Sequence, residues 1–317
     1  MSATLRTRLA PSPTGALHLG NARSFLLTWL WARSRGAACV LRVEDLDGPR
    51  TKAGAVEEAL DDLRWLGLDH DGEVVYQSTR AEAYRAALEQ LAAAGLAYPC
   101  VCTRAEVARA QSAPNEGDEV ARYPNTCRGR FADAEAARAQ TGRDPAWRLV
   151  VEPGEVTYED GVRGAVTLDP YRDGGDFVIA KKDGHAAYQL AVVVDDAWQG
   201  ISDVIRGDDL VPSTARQLLL YRALGITPPR FAHLPLVRGA DGRRLAKRHG
   251  DTRIRHYRGR GVAPERLVGL LASRSGLGPR EPKRAADLLG DGPLEWSQLP
   301  RADVVFSPDE LAWLDRS

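Results

Sequence analysis

The stretch RLAPSPTGALHLGN, residues 8–21, decides the fold of this 317-residue chain. The residues around its start, 4–9, predict a strand, and a helix is predicted from about 19 to 35. The Pro- and Gly-rich turn between them leaves backbone amides exposed at the helix N-terminus, where they can bind phosphate. The turn is neither the GxGxxG of a dinucleotide-binding fold nor a P-loop. It carries an imidazole, His18, at the start of the helix.

Composition and charge exclude several classes of protein. The chain has 43 basic and 43 acidic residues, and this zero net charge argues against a non-specific nucleic-acid binder. Its length suffices for two compact units, and its apolar and charged fractions are ordinary for a globular protein. The sequence has no apolar run long enough to span a membrane and no signal peptide. We therefore expect a cytoplasmic protein with no membrane association and no obligate protein partner.

Four segments, in order, resemble the glutamyl/glutaminyl form of the class I aminoacyl-tRNA synthetases. PSPTGALHLGN at 11–21 is similar to the HIGH signature of that family, although alone it could be a strand–turn–helix with an incidental histidine. RVEDLD at 42–47 resembles the family's acidic strand end. YQLAVVVDD at 188–196 and GISDVIRGDDL at 200–210 resemble its second half-fold, and RLAKRH at 244–249 resembles its mobile KMSKS loop. The motifs cover about residues 4–260 and are specific in combination.

The resemblance implies an α/β fold with a class I synthetase, Rossmann-like (HUP) catalytic domain in two halves, residues 1–97 and 181–240. An inserted subdomain of the acceptor-binding type, carrying zinc, would occupy residues 98–180. Residues 241–317 would hold the KMSKS-like loop and a short helical tail against the RNA stem, with no anticodon-binding domain.

Apolar patterning predicts the remaining elements, with β-rich structure at 143–180. The continuous apolar run at 188–194 fits either a buried parallel strand or the helix beside it. Further helices are predicted at 53–66, 80–94, 217–224, 264–273, 283–289 and 308–314.

The resemblance also implies the chemistry, which is ATP-dependent formation of glutamyl-adenylate with Mg²⁺ on the phosphates. This reaction requires positioning and charge neutralisation more than a nucleophile. His18 and Lys247 are the implied catalytic residues, on the α-phosphate and the leaving pyrophosphate respectively. The implied ATP-binding residues are Pro11, His18, Gly20, Asn21, Arg244, Lys247 and Arg248.

Glutamate offers two carboxylates and one ammonium group, so its pocket requires arginines and an acid. Arg8, Arg206 and Glu44 fit this requirement, with Ser12 and Tyr188 as hydroxyl partners, and by resemblance these five line the amino-acid pocket. Which arginine holds which carboxylate stays open, and each arginine alone could instead form a surface salt bridge.

Three of the four cysteines predict a metal site. Cys100, Cys102 and Cys127 form a close set of thiols, and structural disulfides are rare in the cytosol. Three thiolates can occupy three corners of a tetrahedral zinc site. No histidine lies between residues 71 and 184, so the fourth ligand would be an oxygen, a distant residue or water, and Tyr123 is the candidate. Cys-x-Cys…Tyr-x3-Cys resembles the structural zinc site of the glutamyl-Q tRNA(Asp) synthetase family. Reduced thiols with Tyr123 merely packing are the alternative. Cys39 is expected to be a buried core residue.

The KMSKS-like loop departs from the family pattern Lys-Leu-Ser-Lys-Arg, because Arg244 replaces the first lysine and Ala246 replaces the serine. We expect modestly weakened closure on ATP. Eight basic residues within 243–260 predict contacts with ATP phosphates and then with RNA backbone, although a solvated basic helix face would give the same pattern.

The thiol cluster and a chain that stops 68 residues after His249 both resemble the glutamyl-Q family. Its members activate glutamate without tRNA and attach it to queuosine in the anticodon stem-loop of tRNA(Asp). One alternative is a compact glutamyl-tRNA synthetase that charges the tRNA 3′ end. The other is a non-catalytic, synthetase-like RNA-binding protein, against which His18, Glu44, Arg206 and Lys247 argue.

Overall fold

A computed structural model of the chain describes residues 4–13, 15–46, 54–111, 122–239, 252–290 and 292–314. Within these ranges the strands are β1 (Arg6–Leu9), β2 (Ala38–Val43), β3 (Val75–Tyr76), β4 (Ala97–Cys100), β5 (Ala146–Leu149), β6 (Val156–Asp160), β7 (Gly164–Leu168), β8 (Val178–Ala180), β9 (Asp203–Gly207), β10 (Arg230–Leu234), β11 (Val237–Arg238) and β12 (Val304–Val305). The helices are α1 (Leu19–Ser34), α2 (Ala55–Trp65), α3 (Ala81–Ala93), α4 (Arg104–Gln111), α5 (Ala134–Thr141), α6 (Tyr188–Trp198), α7 (Val211–Leu224), α8 (Ile254–Gly259), α9 (Pro264–Ser273) and α10 (Pro308–Leu314).

Two sheets, one parallel and one mixed, lie side by side at the centre of the fold. One has the order β1-β2-β3, and in the other β9, β10 and β6 are parallel, with β7 antiparallel to β6. The backbone N–H of Ser202, just before β9, donates to the carbonyl of Arg6 in β1 at 2.9 Å. The two halves therefore meet between β1 and β9. In open α/β folds ligands bind outside the carboxyl ends of the strands, at such a change of strand order.

Most of the helices predicted from apolar patterns are present, and α4, α5 and α8 were not predicted. α1 is buried on most of its circumference, with ten of its sixteen residues buried, because it lies between the sheet and α9. The apolar run at 188–194 forms the start of α6, which decides between the two alternatives for this segment. α7 begins at Val211, earlier than the predicted residue 217, with a proline in its first turn. The predicted helix at 283–289 is only a short 3-10 turn at residues 285–288.

The predicted insert, residues 98–180, contributes to two different sheets. β4, β5 and β8 form a separate antiparallel sheet. The β6–β7 hairpin instead extends the sheet of β9 and β10, since Asp160 of β6 pairs with Phe231 of β10. The reason is burial: Val156 and Asp160 face the interior, whereas alternate residues of β7 are exposed at the sheet edge.

The C-terminal tail packs into the main core. Val304, Phe306 and Leu314 are buried in the same apolar cluster as α1, and β12 pairs in parallel with β11. The predicted tail helices at 264–273 and 308–314 are confirmed as α9 and α10. Among the described helices, none combines the length and the apolar character needed to cross a bilayer.

Candidate active site

A cavity of about 520 Å³ opens at the carboxyl ends of the strands, where the two halves of the sheet meet. The nine predicted ATP- and glutamate-site residues that the structure describes all line it. They are Arg8, Pro11, Ser12, His18, Gly20, Asn21, Glu44, Tyr188 and Arg206. Arg244, Lys247 and Arg248, together with Ala246, lie outside the described residues. The structure thus brings together segments up to about two hundred positions apart, while the role of each residue stays a prediction.

His18 is the N-cap of α1. Its Nδ1 accepts a hydrogen bond from the backbone N–H of Gly20 at 3.1 Å, and its own backbone N–H donates to Asn21 Oδ1 at 3.2 Å. Because Nδ1 is an acceptor, the neutral ring carries its proton on Nε2. A Cβ added to Gly20 would lie 3.0 Å from His18 Cε1. The glycine therefore gives the imidazole room to fold back over the helix start.

Arg8 and Arg42 share one buried counter-ion. Asp196 Oδ1 lies 3.2 Å from Arg8 Nε and 2.7 Å from Arg42 Nη1, and all three side chains are at most 4% exposed. Arg42 Nη2 also pairs with Glu44 at 3.1 Å. Although burial opposes ionisation, the pKa of Asp196 is lowered by Arg42 and Arg8. The pKa of Glu44 is raised by burial, against the opposing effect of the same arginines.

Arg206 is held in a different way, by neutral acceptors. Its Nε donates to His233 Nε2 at 3.2 Å, and its Nη2 donates to Thr214 Oγ1 at 2.7 Å and Gln217 Oε1 at 2.8 Å. Arg206 is 6% exposed, and its Nη1 has no hydrogen-bond partner among the described residues. A buried guanidinium nitrogen without a partner is costly unless a ligand supplies the acceptor.

Sequence reasoning did not select several residues that support this pocket. Arg42 and Asp196 stand within quoted motifs, and their signal is a charge in an otherwise apolar strand or helix. His233 and Asp160 carried no such signal. Lys181 also lines the cavity and donates through Nζ to the carbonyl of Leu46 at 3.2 Å.

A family model described as "tRNA synthetases class I (E and Q), catalytic domain" matches residues 4–287. The chain belongs to the class I glutamyl/glutaminyl-tRNA synthetase family. It is 48% identical over 283 residues to a protein named glutamyl-Q tRNA(Asp) synthetase from Rhodopirellula baltica. The aligned region covers 86% of this chain and 85% of the relative. A protein of the same name from Symbiobacterium thermophilum is 45% identical and covers 97% of each chain.

Solved structures of the family have the same fold. The crystal structure of a glutamate-tRNA synthetase from Elizabethkingia anophelis superposes with a TM-score of 0.83 at 27% identity, over 98% of this chain and 70% of that chain. The expected α/β, class I synthetase catalytic domain is therefore confirmed.

In this member of the glutamyl/glutaminyl family, described residues on both sides of positions 240–251 lie at or beside the pocket. Val237, shortly before it, lines the cavity. Immediately after it, the carbonyl of Thr252 accepts from Leu19 N at 3.1 Å, and Ile254 N donates to the carbonyl of Leu17 at 2.8 Å. The HIGH-like turn is thus joined by backbone hydrogen bonds to the chain that follows the KMSKS-like motif.

Two arginines of the predicted RNA-contacting segment form ion pairs within the protein. Arg255 pairs with Glu58 at 3.1 Å, and Arg258 pairs with the buried Asp62 at 2.7 Å. Both acids belong to α2, which packs against α8. These two charges are therefore compensated inside the molecule, which the local run of basic residues did not indicate.

The thiol cluster, Cys100, Cys102, Cys127 and the Tyr123 hydroxyl, forms a second candidate site. The three Sγ atoms lie within 4.8 Å of one another, and tetrahedral zinc with Zn–S bonds of about 2.3 Å needs sulfurs about 3.8 Å apart. Tyr123 Oη lies 3.2 Å from Cys100 Sγ and 3.6 Å from Cys102 Sγ. The three thiols and their spacing therefore fit three corners of a zinc site, and the Tyr123 hydroxyl, which is not a standard zinc ligand, lies beside them.

Arg148 supports the thiol cluster from outside. Its Nε donates to Cys100 Sγ at 3.2 Å, and its guanidinium stacks 3.7 Å above the Tyr123 ring. Burial opposes ionisation of Cys100, but hydrogen bonds from Tyr123 and Arg148 lower the pKa of this thiol. Cys39, in contrast, is fully buried in β2 as expected, and burial raises its pKa to about 12.

Proposed function

We propose that this chain activates L-glutamate with ATP, without tRNA, and transfers the glutamate to queuosine in the anticodon stem-loop of tRNA(Asp). Two observations support the proposal: the near full-length similarity to proteins named glutamyl-Q tRNA(Asp) synthetase, and the chemistry of the pocket. The observation that supports glutamate as the substrate is the buried Nη1 of Arg206, which has no acceptor among the described residues. A glutamate carboxylate supplies that acceptor and the opposite charge.

The positions of the residues support the proposed roles. Arg8 and Arg206 line the cavity as buried cations for the two carboxylates, and Glu44 is the acid for the ammonium group. The α1 N-terminus and His18 would receive the α-phosphate, because the positive end of the helix dipole and an imidazole stabilise charge on an attacked phosphate. Lys247, with Arg244 and Arg248, would neutralise the leaving pyrophosphate, and Mg²⁺ would enter with ATP.

Zinc is proposed as a structural ion held by Cys100, Cys102, Cys127 and Tyr123. Bound there, zinc would fix β4 to the loop that carries Tyr123 and Cys127, since thiolate ligands bind only in the folded arrangement. Residues 98–180 would then present a rigid surface to the RNA.

The first experiment is ATP–pyrophosphate exchange without tRNA. We expect exchange with glutamate and not with glutamine, because a neutral amide compensates a buried guanidinium poorly. Exchange that requires tRNA(Glu) would instead indicate an enzyme that charges the 3′ end. No exchange under either condition would indicate a non-catalytic protein.

The second experiment identifies the acceptor nucleotide. Two tRNA(Asp) substrates are compared: one contains queuosine but lacks the terminal adenosine, and the other has an intact 3′ end but no queuosine. We expect glutamate to be transferred only to the first. Transfer only to the second substrate would identify the 3′ end, and not the anticodon, as the acceptor.

A further inference from the structure

Three neighbouring strands, β9, β10 and β6, carry a row of buried polar side chains behind the pocket. Arg206 in β9 is the register partner of His233 in β10. His233 Nδ1 lies 2.5 Å from Asp160 Oδ2 of β6, and its backbone N–H donates to Asp160 Oδ1 at 3.1 Å. His233 is 0% exposed and Asp160 is 4% exposed. Only Arg206 lines the cavity, so the other two act through it.

The hydrogen bonds in this row have a defined direction. Asp160 Oδ1 also accepts from the backbone N–H groups of Val162 and Arg163, both at 3.0 Å, so its carboxylate acts as an acceptor. The proton between Asp160 and His233 must then lie on Nδ1, which leaves Nε2 of a neutral ring as an acceptor. Arg206 Nε–H is the donor that faces it. A proton on Nε2 would oppose this donor, whereas the hydroxyl of Thr214, whose Oγ1 lies 2.9 Å from Nε2, can donate to a lone pair on Nε2 or accept from an N–H there.

The row has an electrostatic consequence. Arg8 and Arg42 contact the carboxylate of Asp196, which offsets their charge. Arg206 forms no ion pair with any residue that the structure describes, and its acceptors are an imidazole, a hydroxyl and an amide. The nearest anion of the row, Asp160, is separated from it by the width of the His233 ring. The guanidinium is therefore held in place without neutralisation of its charge.

We propose that Asp160 and His233 are positioning residues that orient Arg206 and reserve its charge for a carboxylate of the substrate. This inference rests on the proposed function. An aspartate in direct contact with Arg206 would hold it equally well but would offset the positive charge that separates glutamate from glutamine. A neutral acceptor polarised by a more distant carboxylate provides orientation and keeps the discrimination.

The test reverses the hydrogen-bond direction at constant volume, with Asp160→Asn. The amide can still accept at Oδ1, but its NH₂ group faces Nδ1, so the ring must move its proton to Nε2, against Arg206. We expect the KM for glutamate in ATP–pyrophosphate exchange to rise about 10- to 100-fold, as for loss of a hydrogen bond to a charged group. The KM for ATP should change less than twofold, and the preference for glutamate over glutamine should fall.

The matched control is Asp203→Asn, another carboxylate-to-amide change in the same sheet. Asp203 lies in β9, three residues before Arg206, and pairs with Arg230, whose side chain is 68% exposed. It does not line the cavity. The Asp203→Asn protein should have the same KM for glutamate as the unmodified protein.

A spectroscopic measurement separates this inference from the proposed function. Long-range ¹⁵N–¹H spectra of the histidine rings report the tautomer, and His233→Gln assigns the signals. We expect Nδ1–H at His233 in the unmodified protein and Nε2–H in Asp160→Asn. An Nε2–H tautomer in the unmodified protein would overturn the proposed direction of the row. An active Asp160→Asn protein with an unchanged KM for glutamate would overturn the positioning role alone.

Titration calorimetry with glutamate completes the test. If the unmodified protein neither activates nor binds glutamate, the proposed function fails, and the ligand assigned to Arg206 fails with it. If it binds glutamate, Asp160→Asn should weaken binding by the same factor as it raises the KM.

Discussion

The active-site pocket and the thiol cluster are both sets of buried polar groups, but they are assembled in opposite ways. The pocket draws Arg8, Glu44 and Arg206 from in or just after three different strands, and counter-charges or neutral acceptors support each of them. The thiol cluster draws its four members from residues 100–127, and its internal contacts are hydrogen bonds of thiols and one phenol. Arg148 is the additional contact.

This difference indicates where the rigidity of each region originates. Strand ends in a buried sheet hold the pocket side chains in place without a ligand, at the cost of burying several charges that must stay paired. The thiol cluster connects β4 to the segment that carries Tyr123 and Cys127, so a bound metal would crosslink the two and stabilise their arrangement. The pocket should therefore be sensitive to loss of one charge, and the cluster to loss of the metal.

The largest expected effect is that of Arg42→Met. Arg42 is fully buried between Asp196 and Glu44, so its removal leaves buried carboxylates without a counter-ion. The free energy of unfolding in urea should fall by about 3–5 kcal/mol. Arg138→Met, which removes a pair with Asp144 in which both side chains are at least 60% exposed, should cost at most about 1 kcal/mol. Equal losses of unfolding free energy in the two variants would contradict the expected difference between a buried and an exposed ion pair.

Metal removal should have the next largest effect. We expect the purified protein to contain one zinc ion per chain, and a chelator to lower its thermal midpoint. The stabilisation lost is about 2.7 kcal/mol if free zinc is at one hundred times its dissociation constant. Cys102→Ser should reduce the metal content, whereas Cys39→Ala, at a buried cysteine outside the cluster, should retain it. A metal-free protein with no response to chelator would leave the cluster as packed thiols.

Gly20→Ala should separate activity from stability. The new Cβ would lie 3.0 Å from His18 Cε1, so the imidazole must shift. We expect the exchange rate to fall about tenfold, as for a displaced catalytic group. The free energy of unfolding should change by at most about 1 kcal/mol, since the preference of alanine for the helix is opposed by disturbance of the His18 cap. Gly259→Ala, where a Cβ meets nothing within 4 Å, is the control and should leave exchange unchanged.

The smallest effect should be a pH dependence that arises behind the pocket. Burial lowers the pKa of His233 below its ordinary 6.5, against the opposing hydrogen bond to Asp160. The unfolded chain then binds a proton, as pH falls below 6.5, that the folded protein does not bind. The contribution of His233 to the free energy of unfolding therefore falls on acidification below pH 6.5 and is constant above it. His233→Gln should show a shallower decline in urea unfolding between pH 6.5 and 5. If the free energy of unfolding fell equally with pH in the variant and the unmodified protein, the lowered pKa of His233 would be contradicted.

Much of the fold could be predicted because its signals are local. The turn at 11–21 predicted the strand and helix on either side of it, and apolar spacing predicted α2, α3, α9 and α10. Helix bounds were less certain where capping was ambiguous, as at α7, which starts six residues earlier than expected. The run at 188–194 allowed two structures because every position is apolar or aromatic except Gln189.

By itself, the sequence determined which chemical groups this protein carries and in what order: an imidazole at a helix start, an acid at a strand end, two arginines and three thiols with a tyrosine. Only the tertiary structure decided how their charges are balanced. It paired Arg8 and Arg42 with Asp196, neutralised Arg255 and Arg258 through α2, and gave Arg206 acceptors without charge. The physical reason is that helix and strand patterns repeat within a few residues, whereas a buried charge is compensated by whichever segment the fold brings beside it.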